Sequence, residues 1–208
     1  MSLSPINLAV LVSGSGTTLQ NLVDRIAANE LDARIKLVIG SRPGLKGMDR
    51  AVSAGLRAEV VDRREYPAVS EFSRRVFALI DQAGVDLICL GGWLCLLDIP
   101  PKWTGKIINI HPALLPSFGG KGMYGHHVHQ AVIEHGCKIS GCTVHYVDAT
   151  YDTGPIIVQR TCPVLDGDTP QTLASRVFDE EKIAYLDAIR LIASGKLKIE
   201  GRRVRLRG

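Results

Sequence analysis

Apolar residues in the first half of the chain follow two alternating patterns, those of buried strands and of amphipathic helices. Residues 6–13 form an almost continuous apolar run, as expected of a parallel strand that is covered on both faces. Residues 17–28 then place apolar side chains at helical spacing. The same succession predicts further strands at residues 34–40, 59–62, 85–91 and 106–111, and helices at residues 48–54 and 68–83. Repeated βα units of this kind predict an α/β fold with a mostly parallel twisted sheet and helices on both faces.

The second half of the chain has a different pattern. A loop rich in Gly and Pro precedes a short helix predicted at residues 126–135. Residues 140–147 and 155–163 are rich in β-branched side chains, and the connection between them is too short for a crossover helix, so the pair should be antiparallel. Thr169 is placed to cap a long amphipathic helix that ends near Ser194 and Gly195, with the glycine just after the helix. The pattern predicts an antiparallel C-terminal extension of the sheet, followed by a small terminal hairpin.

Composition narrows the class of protein. The chain has 208 residues, of which 46% are hydrophobic and 22% charged, an ordinary balance for a soluble globular protein. No stretch approaches the length of a membrane span, and the N-terminal apolar run is too short for a secretory signal, so we expect a cytoplasmic protein. The five cysteines include no CxxC pair, which argues for reduced thiols and against a disulfide or zinc framework. The net charge of +4 is concentrated in residues 196–208, a basic tail that predicts a solvated edge more readily than a nucleic-acid surface.

A glycine loop joins the first strand to the first helix. It contains two glycines and three hydroxyl side chains: Gly14, Ser15, Gly16, Thr17 and Thr18. A strand–loop–helix junction presents free backbone N–H groups and the positive end of the helix dipole, which favours a phosphate or carboxylate ligand. The pattern is neither GxGxxG nor a Walker A loop, because no Lys follows the glycines. The alternative is a tight turn that needs glycine for steric reasons alone.

A polar pair ends the fifth predicted strand. Asn109 and His111 point to the same face because strand side chains alternate, and Pro112 ends the strand directly after them. An amide donor beside an imidazole suits a developing oxyanion, although both groups could instead be satisfied by buried hydrogen bonds. Asp152 lies in a later turn, where Asp is common for structural reasons. Asp152 would orient and charge His111 only if the fold brings the two side chains together.

The remaining histidines raise the question of a metal site. His126, His127 and His129 could supply two ligands, and His135 or His145 a third. No acidic or Cys partner has metal-like spacing, so we predict no metal. A histidine within a strand, such as His145, is more often structural, or a residue that contacts the site residues and not the ligand.

Four segments resemble, in order, those of the phosphoribosylglycinamide formyltransferases, a branch of the folate-dependent formyltransferase family. They are LVSGSGTTLQNL, GGWLCLL, IINIHPALLPSFGGKGMYGHHVHQAV and GCTVHYVDATYDTGPIIVQ, and the resemblance covers almost the whole chain. It implies a Rossmann-like formyltransferase fold. It also implies transfer of the formyl group of 10-formyltetrahydrofolate to the amine of 5-phosphoribosylglycinamide, in purine synthesis.

The resemblance implies roles for matching positions. Asn109, His111 and Asp152 would be the catalytic trio, with His111 held in its charged form. The ribonucleotide would bind to the glycine loop and to Glu181. The folate would contact seven residues, largely through backbone groups: Leu94, Cys95, Leu96, Leu97, Asn109, Asp148 and Asp152. The sequence contains no internal repeat, low-complexity segment or linker, so we expect a single domain over residues 1–208, with a phosphate-binding half (6–111), a folate and catalytic half (112–195) and the basic tail.

Some features depart from the family pattern. Cys95 stands where many relatives carry Arg, and Val69 where some have an Arg for the folate tail. The expected partners are small-molecule substrates, without nucleic acid, membrane or metal, and the chain would be a monomer or a homodimer. Two alternatives remain: a formyltetrahydrofolate hydrolase, in which water accepts the formyl group, and a non-catalytic sugar-phosphate-binding module.

Overall fold

The computed structural model describes residues 4–207 of the chain. The chain divides into two compact units, with the boundary between Ile108 and Asn109. The expectation of a single domain over residues 1–208, with its halves divided at residue 111, stays a prediction. The two units are described separately below.

The first unit repeats the βα motif that the sequence predicts. It contains strands β1 (Ile6–Val12), β2 (Ala33–Gly40), β3 (Ala58–Val60) and β4 (Leu87–Leu90), and helices α1 (Thr17–Ala27), α2 (Lys46–Ser53) and α3 (Val69–Ala83). Strand β5 (Ile107–His111) begins in this unit and ends in the second. The strands of the first unit follow the order β3-β2-β1-β4 and all pair in parallel, which confirms the predicted parallel sheet.

The core of the first unit explains these elements. The β1 residues from Leu8 to Val12 are all fully buried, as the continuous apolar run predicts for a central strand. Helix α3 buries Phe72, Val76 and Ile80, which lie three to four residues apart and therefore on one face. Most predicted element boundaries agree with the structure within one or two residues, and α2 begins two residues earlier than expected.

The second unit contains the antiparallel strands. After the end of β5 come α4 (His126–Glu134), β6 (Ile139–Tyr146), β7 (Ile156–Pro163), α5 (Pro170–Ala193), β8 (Leu197–Glu200) and β9 (Arg203–Leu206). Strands β6 and β7 pair antiparallel, as predicted from their short connection, and β8 and β9 form the predicted terminal hairpin. Strand β9 also joins β7 in parallel through one residue pair, Ile156 and Arg203.

Helix α5 begins and ends where its sequence signals predict. The Thr169 hydroxyl accepts a hydrogen bond from the Thr172 backbone N–H at 3.2 Å, and the Thr172 hydroxyl bonds back to the Thr169 N–H at 3.0 Å. Pro170 occupies the first turn, where its missing N–H removes no helical hydrogen bond. Gly195 follows the helix with φ +66°, the left-handed conformation that ends many helices. No helix among residues 4–207 is long and apolar enough to cross a membrane.

Candidate active site

The end of β5 brings the predicted polar pair to the Asp152 carboxylate. The amide Nδ2 of Asn109 lies 3.5 Å from one Asp152 carboxylate oxygen, Oδ1. The imidazole Nδ1 of His111 lies 3.5 Å from the other oxygen, Oδ2. His111 is 3% exposed and Asn109 is half-buried. The three side chains named from the sequence therefore meet in one place, with the carboxylate between the amide and the imidazole.

The loop between β6 and β7 holds Asp152 in an unusual backbone conformation. Asp152 has φ +57°, a left-handed geometry that Asp tolerates better than most residues. Two residues on, Gly154 packs against the backbone, and a Cβ built on it would lie 1.7 Å from the Tyr146 carbonyl oxygen. Asp148 closes the start of the same loop by accepting hydrogen bonds from the Thr150 N–H at 3.0 Å and the Thr153 hydroxyl at 2.7 Å. Only glycine fits at residue 154, so the sequence fixes how this loop presents Asp152.

A second loop, which follows β5, completes the surroundings of His111 and Asp152. The Gly120 N–H donates to Asp152 Oδ2 at 2.9 Å. The Phe118 carbonyl oxygen lies 2.8 Å from His111 Nε2. A carbonyl oxygen only accepts, so Nε2 must carry the hydrogen, and the neutral His111 ring leaves Nδ1 bare on the side of Asp152.

A further histidine joins the cluster. His145, near the end of β6, is 2% exposed. Its Nε2 lies 3.3 Å from Asn109 Nδ2 and 3.6 Å from Asp152 Oδ1, and its Nδ1 lies 2.8 Å from the Tyr146 carbonyl oxygen. The carboxylate is therefore flanked by two imidazoles, one on each oxygen.

Burial and charge act in opposite directions at this cluster. Burial lowers the pKa of His111 below its usual value, and the opposing effects of the Asp152 charge and the Phe118 carbonyl are smaller. Burial alone would raise the pKa of Asp152, but the combined effect of His145, His111 and the Gly120 N–H brings it below its usual value. Asp152 is thus an anion beside a neutral His111 at neutral pH. The sequence-based expectation that Asp152 holds His111 in its charged form is wrong for this state, because desolvation of the ring outweighs one carboxylate.

The glycine loop has a left-handed glycine directly before α1, in close contact with a second glycine. Gly16 precedes α1 with φ +72°, and a Cβ on it would lie 2.5 Å from the Gly47 Cα. Gly16, the N-cap residue of α1, makes no side-chain capping hydrogen bond, so the first N–H groups of the helix are not bonded to it. Ser15 and Thr17 are exposed, whereas Gly14 is tied by its carbonyl to the Gly47 N–H at 3.1 Å.

Arg50, on α2, is a neighbour of this loop that sequence reasoning missed. Its Nε donates to the Ser15 carbonyl oxygen at 3.0 Å, and its Nη1 donates to the Gln20 side chain at 3.1 Å. The contact turns the Ser15 carbonyl toward Arg50 and adds a positive charge beside the loop. No motif marked Arg50, because the contact joins residues 35 positions apart.

The segment named for folate contact follows β4 in the first unit. Leu94 and Leu96 are among the exposed large apolar side chains, and Leu97 is buried. The Leu94 N–H donates to the Ser13 hydroxyl at 3.1 Å, which ties the segment to the end of β1. Burial raises the pKa of the Cys95 thiol, although Ser41, Arg63 and Ser13 oppose the effect. Cys95 is therefore a weakly nucleophilic thiol within this segment.

Glu181 lies on α5, in the second unit. The Glu181 side chain is partly exposed to solvent, yet burial of its carboxyl group raises the pKa of that group to about 7. The same electrostatic surroundings include Cys142, whose thiol pKa burial raises to about 12. A carboxyl group with this pKa accepts hydrogen bonds when ionised and also donates one when protonated.

From the sequence, His145 was expected to be structural or to contact the site residues, and it was not named among them. A usable signal was present: Thr143 and His145 are polar residues two positions apart, on one face of a mostly buried strand. The same i, i+2 pattern identified Asn109 and His111. Among residues 4–207 there is no group of three or more His, Cys, Asp or Glu side chains arranged to hold a metal ion.

Comparison with known proteins identifies the class. Residues 6–189 match the family model described as formyl transferase, so the chain belongs to the formyl transferase family. A similar solved structure is that of glycinamide ribonucleotide transformylase 1 from Symbiobacterium toebii. It has a TM-score of 0.88 and 43% identity over 97% of this chain and 93% of that chain. The mostly parallel α/β fold expected from the sequence is therefore the fold of a solved formyl transferase family member.

Two curated relatives are similar to almost the whole of this chain. The trifunctional purine biosynthetic protein adenosine-3 of Gallus gallus is 40% identical over 196 residues, which are 93% of this chain and 19% of that protein. The chloroplastic phosphoribosylglycinamide formyltransferase of Arabidopsis thaliana is 34% identical over 194 residues, which are 92% of this chain and 66% of that protein. The chain thus spans about a fifth of the trifunctional relative and about two thirds of the plant relative.

Proposed function

We propose that this chain transfers the formyl group of 10-formyltetrahydrofolate to the amine of 5-phosphoribosylglycinamide, in de novo purine biosynthesis. The observation that carries the proposal is the cluster of Asn109, His111 and Asp152 at the end of β5, in which the amide and the imidazole each lie 3.5 Å from the carboxylate. Membership in the formyl transferase family and the names of its relatives support the choice of donor and acceptor.

The reaction is an acyl transfer that needs no covalent enzyme intermediate, because the substrate amine is itself the nucleophile. The amine nitrogen attacks the formyl carbon, and the carbonyl electron pair moves to oxygen. Asn109 donates an N–H to this developing oxyanion, an interaction that is typically worth about 10²–10³ in rate. Collapse of the tetrahedral intermediate then breaks the bond between the formyl carbon and N10 of the folate, which leaves as tetrahydrofolate after taking up a proton.

His111 and Asp152 take up the proton that the amine loses and then release it. Asp152 is ionised and His111 neutral in the resting site, so the pair has room for one proton. A proton that reaches Nδ1 of His111 would face Asp152 Oδ2 and form an ion pair in a buried setting, where such attraction is strong. The proton then passes to the departing folate nitrogen. General acid–base help of this kind typically contributes about 10²–10⁴ in rate.

We assign substrate contacts as follows. The glycine loop binds the ribonucleotide phosphate through the first N–H groups of α1. From the resemblance we also assign Glu181 as a ribonucleotide contact, and residues 94–97 and 148–152 as folate contacts. The proposed reaction needs no metal, and we place the protein in the cytoplasm, acting on small molecules as a monomer or a homodimer.

Two other functions compete with this one. A formyltetrahydrofolate hydrolase would use the same polar cluster with water as the formyl acceptor, and the glycine loop would then have no phosphate to bind. A sugar-phosphate-binding module without chemistry would use the loop but leave the cluster without a role. Of the three functions, only transfer of the formyl group to a phosphorylated amine gives a role both to the glycine loop and to the polar cluster.

The test is release of tetrahydrofolate from 10-formyltetrahydrofolate, with and without 5-phosphoribosylglycinamide. We expect release only when the ribonucleotide is present, with formylated ribonucleotide appearing in equal amount. Asp152→Asn serves as the matched control and should remove the activity. Equal release without ribonucleotide would identify a hydrolase, and no release under either condition would identify a binding module.

A further inference from the structure

His145 has a hydrogen-bonding arrangement that a merely structural histidine does not need. Its ring is almost completely buried, and both ring nitrogens face polar groups. Nδ1 lies 2.8 Å from the Tyr146 carbonyl oxygen, and Nε2 lies 3.3 Å from Asn109 Nδ2. The ring thus links the backbone of β6 to the amide at the end of β5.

The carbonyl fixes which nitrogen carries the hydrogen. Because the Tyr146 oxygen only accepts, Nδ1 of His145 must be the donor. In the neutral ring Nε2 then has no hydrogen and offers a lone pair. The 3.6 Å separation between this nitrogen and Asp152 Oδ1 exceeds hydrogen-bond length, so the acceptor is available to the Asn109 amide.

This acceptor determines how Asn109 is turned. With Nδ2 toward His145, one amide hydrogen reaches the imidazole and the other points to Asp152 Oδ1 at 3.5 Å. A flipped amide would place its oxygen against a lone pair and a carboxylate, which is repulsive on both sides. The contact to Asp152 is the longer one and is the easier to exchange for a formyl oxygen.

From this geometry we propose that His145 is a positioning residue for formyl transfer, and the inference rests on the function proposed above. His145 holds one Asn109 N–H, so that the other is directed at the oxygen that becomes negatively charged. A donor fixed before the reaction stabilises the transition state without reorganisation. His145 itself touches no reacting atom.

Two substitutions separate the roles of the two ring nitrogens. In His145→Gln the side-chain oxygen lies near the former position of Nε2. In His145→Asn the side-chain amide lies near the former position of Nδ1. We expect His145→Gln to keep kcat within about tenfold of wild type, and His145→Asn to lower it about a hundredfold, the scale of one oxyanion donor. KM for both substrates should change much less, because the lost interaction forms in the transition state.

A double-mutant cycle tests whether His145 acts through Asn109. In an Asn109→Ala background, His145→Asn should lower kcat by less than about threefold further, because residues that act as a unit are not additive. Thermal unfolding of each variant confirms that it is folded. Wild-type kcat in His145→Asn, or a full additional hundredfold loss in the Asn109→Ala background, would overturn the proposal.

The ring tautomer gives an independent reading in the ligand-free wild-type protein. Long-range proton–nitrogen correlation spectra distinguish the six histidines, and His145→Gln assigns the signal by its disappearance. We expect a hydrogen on Nδ1 and a bare Nε2. A hydrogen on Nε2 would refute the positioning role even if every variant failed to fold. If the wild-type protein transferred no formyl group, the proposed function would fall while the tautomer could still be measured.

Discussion

His129 should make this protein sensitive to acid, and the size of the effect follows from its surroundings. The side chain lies on α4 and is 4% exposed, and its Nδ1 has no hydrogen-bond partner within residues 4–207. Burial lowers its pKa to about 4, and the charges of His126 and His111 act in the same direction. In the unfolded chain the same ring takes up a proton near its ordinary pKa of about 6.5. Between these two values the unfolded state binds more protons, so stability falls as the pH falls.

The magnitude comes from linkage between protonation and folding. With a folded pKa of about 4, His129 lowers the free energy of unfolding, relative to neutral pH, by about 2 kcal/mol at pH 5 and about 3 kcal/mol at pH 4. A His129→Leu variant, similar in size, should lose this contribution. At pH 7 it should be as stable as wild type or more so, because an unpaired buried nitrogen has been removed.

Urea unfolding at several pH values measures the difference directly. Wild type minus His129→Leu isolates His129, since all other titrating groups are common to both proteins. His127→Asn is the matched control, because His127 is exposed on the same helix. It controls for the removal of a histidine side chain from α4. If the curves of wild type and His129→Leu stay parallel over this range, the account of His129 as a buried neutral histidine is wrong.

Three further predictions address the site. Each of Asn109→Ala, His111→Ala and Asp152→Asn should lower kcat at least about a hundredfold with little change in KM. Combined substitutions should lower kcat by much less than the product of the single effects. Steady-state kinetics that show a normal kcat in any single variant would contradict the mechanism. Gly16→Val should raise KM for the ribonucleotide strongly and leave folate affinity unchanged, because any side chain at this position meets the Gly47 backbone; equal loss of both would indicate global damage. A chain that ends at Gly195 should keep the reaction, and a folded but inactive truncation would show that residues 196–208 belong to the site.

Periodicity alone predicted most of the secondary structure. The alternation of buried runs and amphipathic segments places α1 at residues 17–27 and α3 at residues 69–83, close to where they were expected. The end of α5 was predictable as well, because Gly195 adopts a left-handed backbone conformation that few other residues adopt easily. These features depend on neighbours within a few positions, so a single sequence contains the information. The boundary between the two compact units was not marked by any change of composition, because it falls inside β5.

The candidate site was predictable only in part. Asn109 and His111 could be paired from strand alternation, and the resemblance to the formyltransferases implied that Asp152 joins them. The charge of His111 could not be inferred in this way, because it depends on how completely the fold excludes water from the ring. Burial lowers the pKa of His111 by more than the Asp152 charge raises it, so the pKa shifts in the direction opposite to the one expected.

The sequence by itself determined the α/β fold, the glycine loop and the chemical groups available to the site. Only the tertiary structure decided which groups meet: His145 with Asn109, Arg50 with Ser15, and the Gly120 N–H with Asp152. The physical reason is the short range of the interactions that form the site. Hydrogen bonds and desolvation act over a few ångströms in space, and residues that are tens of positions apart come within that distance only after the chain has folded.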